Sequence, residues 1–463
     1  MRVLVFHGYL LAGTGSNVYN ARLAAAFVAL GDEVHLLSQD RHAERQSFVD
    51  AVGDWDTGEL RVREVRADSA ATDAADTARA TAGGQARCTV YRPNIGGLLP
   101  VYVADRYEGI EARTFAECSD AELARYLEAN VLAVRELVAR VAPDVALANH
   151  LVMGPVILAR ALGGAVPYAV KVHGSALEYT VKPEPERFLP LAREGVRGAG
   201  GILVGSHHTA ASLWRALDDA DVERRTRLGP PGVDVERFVP RSREDAIARL
   251  RALVARLLAD QAQASAQPAA GEAAASAMGT PAASEPADAF ARDAGAAASA
   301  LAELHPECER LVAFVGKLIV SKGVDLLLAA WPLVLERAPD AKLVVVGFGA
   351  YRDGFEALRD ALAAGDLAAA RELALAGRAL ERDATDARPL RHLLAFLDGL
   401  DGGRRERYVE AARALGERVV LTGRLEHDEL TELLPACEAI VVPSTFPEAF
   451  GMVAAEAAAC GAL

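Results

Sequence analysis
The opening stretch, Met1 to Leu37, constrains the fold more tightly than any other. Val3 to Phe6 is a short apolar run, the pattern of a strand buried on both faces. A glycine-bearing loop follows, Gly13-Thr14-Gly15-Ser16-Asn17. Val18 to Leu30 then sets Leu23, Ala26, Phe27 and Leu30 on one helical face. Gly31 suits a helix C-cap, and Glu33 to Leu37 reads as a second strand. Strand, loop, helix and strand form a βαβ unit, the seed of a doubly wound parallel sheet.

The rhythm recurs. Val145 to Ala148, Tyr168 to Val172 and Ile202 to Val204 read as strands, with helical Ile157 to Leu162 and Thr209 to Leu217 between and after them. Residues 68 to 90 are rich in alanine, threonine and aspartate and read as a loop. This pattern predicts a first domain over residues 1–240. Residues 243–260 place Ile247, Leu250, Leu253 and Leu257 at helical spacing, and 19 of the 40 residues from 261 to 300 are alanine. Such low complexity predicts a linker or insertion over 241–310, helical at first and then flexible. The α/β rhythm resumes with strands at Leu311–Val315, Leu343–Val346, Val419–Leu421 and Ala439–Val442, which predicts a second domain over 311–463. Residues 352–415 form a helical insertion in it, longer than a normal crossover. A doubly wound domain would continue past the helix that starts at Met452, so an incomplete C-terminal domain is expected.

At 463 residues with a net charge of −14, the chain has room for two or three domains and poor prospects as a general binder of nucleic acid or anionic membrane. Its five cysteines, Cys88, Cys118, Cys308, Cys437 and Cys460, form no close pair, which disfavours zinc and redox motifs. Unpaired thiols, no signal-peptide pattern and no apolar run of about 18 residues predict a cytoplasmic protein, with peripheral membrane contact left open.

Four strings carry candidate chemistry. The strongest is Pro443-Ser444-Thr445-Phe446-Pro447-Glu448-Ala449-Phe450-Gly451-Met452-Val453-Ala454-Ala455-Glu456, between an apolar strand and a helix. Ligands of open α/β sheets bind at the carboxyl ends of strands. The backbone N–H groups of Phe450, Gly451 and Met452 lie at a helix start, where oxyanions are favoured. Glu448 is expected in the loop or the first helical turn, with Glu456 about two turns further along the same face, and carboxylates so placed are charged acceptors suited to sugar hydroxyls. The bland alternative for Glu448 is a first-turn acid favoured by the helix dipole. The second string is Gly316-Lys317-Leu318-Ile319-Val320-Ser321-Lys322-Gly323, two lysines around a strand-to-helix turn where phosphate charge is neutralised. Its glycine spacing is not that of a Walker loop, and loop lysines taken alone are more often solvated. The third is Gly13-Thr14-Gly15, where glycine permits close backbone approach. The fourth is Lys171-Val172-His173-Gly174-Ser175, which places His173 at a strand's carboxyl end; His150 has similar placement and lower standing. His35 reads as structural, and His207-His208 as a helix start with no third metal ligand. No nucleophile elbow is present.

Together these strings resemble the GT-B glycosyltransferases of family 4. Glu448 and Glu456 match that family's paired-glutamate motif, and Gly316-Lys317 through Lys322-Gly323 is similar to its phosphate-binding stretch. Gly347-Phe348-Gly349, Pro231-Gly232-Val233-Asp234 with Phe238, and Gly423-Arg424-Leu425 are similar to further family segments. The resemblance implies an α/β fold of two Rossmann-like doubly wound domains facing a cleft. It implies a nucleotide-sugar donor and transfer with retention by front-face attack, with no dedicated carboxylate base, no cofactor and no metal. Lys317 and Lys322 are then expected to hold the donor diphosphate, with Gly316 at the start of that turn. Glu456 is expected on the ribose, and Glu448 on donor-sugar hydroxyls with the Phe450, Gly451 and Met452 amides nearby. Gly15 is expected to approach the diphosphate, His173 the sugar near the reacting carbon, and Leu425 the base through its backbone. Lys317 stands where the family usually has arginine, which keeps charge and loses bidentate geometry. Donor base and sugar, acceptor and oligomeric state are unreadable. A non-catalytic nucleotide- or sugar-binding module is the alternative. A Rossmann oxidoreductase is disfavoured because Val18 stands where a third glycine would be needed.

Overall fold
A computed structural model describes residues 1–56, 58–65, 87–103, 109–266, 293–382 and 387–463. The chain forms two units, Met1–Pro231 and Gly232–Leu463.

The first unit contains β1 (Arg2–Phe6), β2 (Glu33–Leu37), β3 (Ala51–Asp56), β4 (Glu59–Glu64), β5 (Cys88–Arg92), β6 (Leu98–Val101), β7 (Glu111–Thr114), β8 (Val145–Asn149), β9 (Tyr168–Val172), β10 (Gly201–Val204) and β11 (Thr226–Leu228). Nine of these make one sheet in the order β11-β10-β9-β8-β1-β2-β5-β3-β4. Every pairing in it is parallel except β3 with β4. β1 sits between β2 and β8, with Val3 in register with both Val34 and Val145. The chain therefore leaves β1 toward one edge and returns at β8 toward the other. That reversal is the switch point at which open α/β sheets bind ligands.

The apolar runs are buried as their composition requires: Leu4, Val5, Val170, Val172, Ile202 and Val204 are all fully covered. The first helix spans Gly15–Ala29 and so starts earlier than Val18, because the glycine loop runs straight into it with Thr14 as N-cap. Cys88–Arg92 is a strand rather than the end of a loop, since its alternate apolar residues pair with β2 and β3. The remainder of the alanine- and threonine-rich segment, residues 66–86, lies outside the described residues.

The second unit has β12 (Arg310–Val315), β13 (Ala341–Val346), β14 (Val419–Gly423) and β15 (Ala439–Ile440) in the order β14-β13-β12-β15, all parallel. Its switch point lies between β12 and β15. The crossover from β13 to β14 is helical, through Arg352–Ala363, Leu367–Ala376, Arg391–Asp398, Gly402–Ala412 and Leu415–Arg418. These helices pack on the helix Val324–Leu335, and Tyr408 Oη donates to Ala329 O at 2.8 Å.

The unit boundary falls at Pro231/Gly232 rather than at residue 240, and part of the expected linker belongs to the second unit's core. Helix Arg243–Ala266 buries Leu250, Leu253 and Leu257 against Ala297 and Leu301 of helix Ala294–Ala302, and against Leu433 and Leu434. Of the stretch expected to be flexible, residues 261–300, residues 267–292 lie outside the described residues, while Ala294–Ala302 is a helix because Ala297, Ala298 and Leu301 find a core to bury in. Truncating Leu250, which is 0% exposed, tests this assignment. Leu250→Ala is expected to lower the unfolding free energy in urea by about 2–5 kcal/mol. A linker residue would change it by less than about 0.5 kcal/mol.

Candidate functional site
In the second unit, the turn after β12 is built by backbone contact. Gly316 N–H donates to Val346 O at 3.0 Å, Leu318 N–H to Phe348 O at 2.8 Å, and Tyr351 N–H to Leu318 O at 2.9 Å. The two loops lie so close that side chains are excluded between them. A Cβ on Gly347 would stand 1.8 Å from Gly316 O, and one on Gly349 2.4 Å from Leu318 O. The turn closes with the short helical segment Val320–Lys322 and with Gly323 at φ +68°. A Cβ on Gly323 would meet Pro443 O at 2.1 Å. The loop after β15 thus lies directly on this turn, and Thr445 N–H donates to Ser321 O at 3.0 Å.

That packing brings the strongest two strings together. Lys322 Nζ pairs with Glu448 Oε1 across a separation of 126 residues, and Ser444 Oγ donates to the same oxygen at 2.5 Å. Both side chains of the pair remain about one-third exposed, at 32% and 30%. Lys317 is half-buried on the same turn. Glu448 lies in the loop and the following helix is Met452–Ala459, so the two glutamates do not share a helical face as the spacing suggested. Glu456 is buried in the helix, where His427 Nε2 donates to its Oε1 at 2.7 Å. The His427 ring lies 5.0 Å from that of Phe238, itself fully buried. Gly451, at φ +82°, is the N-cap of the helix. Among the described residues no hydrogen bond engages the N–H groups of Phe450, Gly451 and Met452. Leu425, in the loop after β14, buries its side chain in the core, which leaves its main chain as the part able to meet a ligand.

In the first unit, three histidines follow three neighbouring strands: His7 after β1, His150 after β8 and His173 after β9. The rings of His150 and His173 are 4.9 Å apart, and those of His7 and His150 6.0 Å. His173 Nε2 donates to Asn149 Oδ1 at 2.8 Å. His7 Nε2 donates to Leu10 O at 2.9 Å and Asn17 Oδ1 at 3.1 Å, while its Nδ1 accepts from Asn20 Nδ2 at 3.1 Å. That pattern holds one neutral tautomer, because a proton on Nδ1 would face an amide N–H. Burial pushes His7 down to about 4. It also pushes His150 and His173 well below the ordinary histidine value, with Lys171 and His7 lowering His173 further. Gly15 is the first helical residue nearby, and a Cβ there would meet nothing within 4 Å.

Two family models match the chain: glycosyl transferases group 1 over residues 301–367 and 390–463, and glycosyl transferase 4-like domain over residues 14–218. The chain belongs to the group 1 glycosyl transferases. Its GT-B fold is shared with sucrose-phosphate synthase from Thermosynechococcus elongatus, at 18% identity and a TM-score of 0.51, over 100% of this chain and 79% of that one. It is also shared with OtsA, at 10% identity and a TM-score of 0.50, over 99% and 82%. An uncharacterized glycosyltransferase of Methanocaldococcus jannaschii is 29% identical over 153 residues. That match covers 33% of this chain and 26% of the relative's length.

Within this group 1 glycosyl transferase, the turn carrying Gly316, Lys317 and Lys322 meets Glu448 directly, and the helix after Gly451 carries Glu456 nearby in sequence. His173 and Gly15 belong to the first unit and are described there alone. Sequence reasoning underrated three groups. His427 opens the helix His427–Leu433, as its place in the sequence suggests, and its ring also binds Glu456, which no local pattern shows. His150 is 2% exposed at φ +67°, and both its ring nitrogens lack a hydrogen-bond partner among the described residues. Its position immediately after an apolar strand was the available signal. Lys171 was quoted only as a neighbour of His173, yet it is buried, donates to Gly229 O and lies 5.3 Å from the Tyr19 ring centre. Burial lowers it to about 8. Among the described residues no group of three or more His, Cys, Asp or Glu is placed to hold a metal ion, and no helix is long and apolar enough to cross a membrane.

The histidines make stability fall in acid. Between pH 6.5 and 4 an unfolded His7 binds a proton that the folded one refuses. Stability therefore rises with pH through that window and is flat with respect to His7 above it. A shift from 6.5 to about 4 is worth about 3 kcal/mol at pH 4 for His7 alone. Urea unfolding from pH 8 to pH 4 should show this loss. His150→Asn, a residue tolerant of positive φ, should make it shallower.

Proposed function
We propose that this chain transfers a sugar from a nucleotide-diphosphate donor to an acceptor hydroxyl with retention of configuration. The reading is carried by the junction of Lys322 with Glu448 at the switch point of the second sheet, with Lys317 on the same turn. In it, Lys317 and Lys322 bind the diphosphate with the Gly316 turn beneath, and Glu448 accepts from donor-sugar hydroxyls. The amides of Phe450, Gly451 and Met452 face an oxyanion at the helix start. Glu456 accepts from the ribose, and Leu425 offers its main chain to the base. From the first unit, His173 contacts the sugar and Gly15 lets backbone approach the diphosphate.

The chemistry asked of these groups is mainly electrostatic. The bond from the anomeric carbon to the diphosphate oxygen breaks, and the acceptor oxygen bonds to that carbon on the same face. The acceptor proton passes to the departing diphosphate oxygen. Cations and N–H dipoles stabilise the charge that builds on the leaving group. No residue is assigned as a carboxylate base, and no metal or cofactor is assigned a step. The acceptor is a hydroxyl compound of unassigned class.

Four measurements test the proposal. UDP, GDP or ADP should raise the melting temperature; no rise with any of them would refute the reading. Lys322→Ala and Glu448→Ala should each lower turnover about 10²–10³-fold, the range for removing one preorganised charge-stabilising group. Gly15→Ala should leave the melting temperature unchanged or higher, since its Cβ meets nothing within 4 Å, and yet weaken donor binding. Turnover should persist in EDTA.

A further inference from the structure
The turn that bears Lys317 and Lys322 is also supported from outside the loops that follow the strands. Val320 N–H, the first of the short helical segment Val320–Lys322, donates to Glu381 Oε1 at 2.8 Å. Ile319 precedes that segment with no side-chain cap of its own. Glu381 stands 61 residues away in the helical crossover between β13 and β14, within residues 368–389, which lie between the two stretches that the family model matches. The residue is 6% exposed. Its other oxygen, Oε2, accepts from Arg378 Nε at 2.9 Å. Its own segment is tied down on the same side of the turn, with Arg382 N–H donating to Ala350 O at 3.0 Å and Glu381 N–H to Arg378 O at 3.0 Å. A buried carboxylate is retained where it is paired and hydrogen-bonded, and here both oxygens are engaged.

We propose that Glu381 is a positioning residue for the diphosphate-binding turn, capping Val320 so that Lys322 projects toward Glu448 and the donor phosphates. The proposal rests on the assignment of Lys322 to the diphosphate. Glu381 touches no substrate; it acts through the backbone of the turn. Removing the cap frees the Val320 N–H and loosens the segment from which Lys322 extends. A misplacement of about 1 Å in a positioned charge is enough to lower binding and rate about 10²-fold. The crossover helices thereby become part of the donor site's support rather than a peripheral decoration.

The test is titration calorimetry on the full chain with UDP, GDP, ADP and inorganic pyrophosphate, for the wild type, Lys322→Ala, Glu381→Ala and Glu381→Gln. Expected are at least tenfold weaker binding in Lys322→Ala and Glu381→Ala, and affinity within about threefold of wild type in Glu381→Gln, whose carbonyl still accepts from Val320. Hydrogen exchange of residues 316–323 should be faster in Glu381→Ala and near normal in Glu381→Gln, with the melting temperature recorded to separate turn loosening from global loss. If Lys322→Ala weakens binding and Glu381→Ala does not, the proposal fails and the donor-site reading survives. Equal losses in Glu381→Ala and Glu381→Gln also overturn it, because charge and not capping would then matter. If Lys322→Ala binds as wild type, the donor-site reading fails and the proposal fails with it. Should Glu381→Ala not fold, fast exchange of the Val320 amide in the wild type would overturn the cap.

Discussion

The contact on which the second unit's candidate site depends is backbone against backbone. Gly347 and Gly349 let the loop after β13 press on the turn after β12, and Gly323 lets the loop after β15 press on it from the other direction. A Cβ at any of these three positions would stand within 2.4 Å of a carbonyl oxygen. The constraint is steric and admits no compromise, since the obstructing atoms are main chain and not the ends of flexible side chains. Once it is met, Lys322 and Glu448 have no need of long reach. The turn is then held at Leu318, Val320 and Ser321 by hydrogen bonds from three different parts of the unit. A site for a doubly charged group benefits from such over-determination, because preorganised charge does its work without reorganising during the reaction.

The two units handle titratable groups in opposite ways. The second unit partners its carboxylates: Glu448 with Lys322 in an ion pair, and Glu456 with the His427 ring in a hydrogen bond. The first unit gathers His7, His150 and His173 away from water and keeps them neutral. Burial is the main cause of their depression, and proximity adds to it: His173 and His7 lower His150, and Lys171 and His7 lower His173. A neutral imidazole can donate from one nitrogen and accept at the other, which suits contact with hydroxyls better than with phosphates. The division agrees with roles on the sugar for His173 and on the diphosphate for the lysines.

Much of this was legible in the sequence, and the parts that were not share a cause. Apolar runs at β1, β8, β9, β10, β12, β13 and β14 predicted their strands because parallel strands buried on both faces need continuous hydrophobicity. The glutamate and lysine strings were visible because each sits between a strand and a helix. Strands β3 and β4 were missed because both mix polar and apolar residues, and most of β4 faces outward. Helix Asp120–Val141 was also missed, although Ser119 and Glu122 spell out a capping box that the fold uses. The partners of Glu456 and Val320 were beyond reach of any local pattern. Nothing near His427 or Glu381 in the chain announces which distant element it will meet; the order of strands and the path of the crossover helices decide it.

The two carboxylate contacts differ in a way that bears on how a donor would enter. Lys322 and Glu448 are each about one-third exposed, and a pair of that kind contributes at most about 1 kcal/mol, so it opens at little expense. In the proposed donor site a diphosphate would offer Lys322 more charge than Glu448 does, and would release that carboxylate to accept sugar hydroxyls. His427 and Glu456 are 20% and 5% exposed, and leaving a buried acceptor without its donor costs about 1–3 kcal/mol. That bond is one to keep. In the proposed donor site the first pair would serve as a placeholder that a ligand exchanges, and the second as a fixture that holds Glu456 in one orientation. On those proposed roles the different surroundings of the two glutamates make sense: the loop lets Glu448 swap partners, and the helix keeps Glu456 in place.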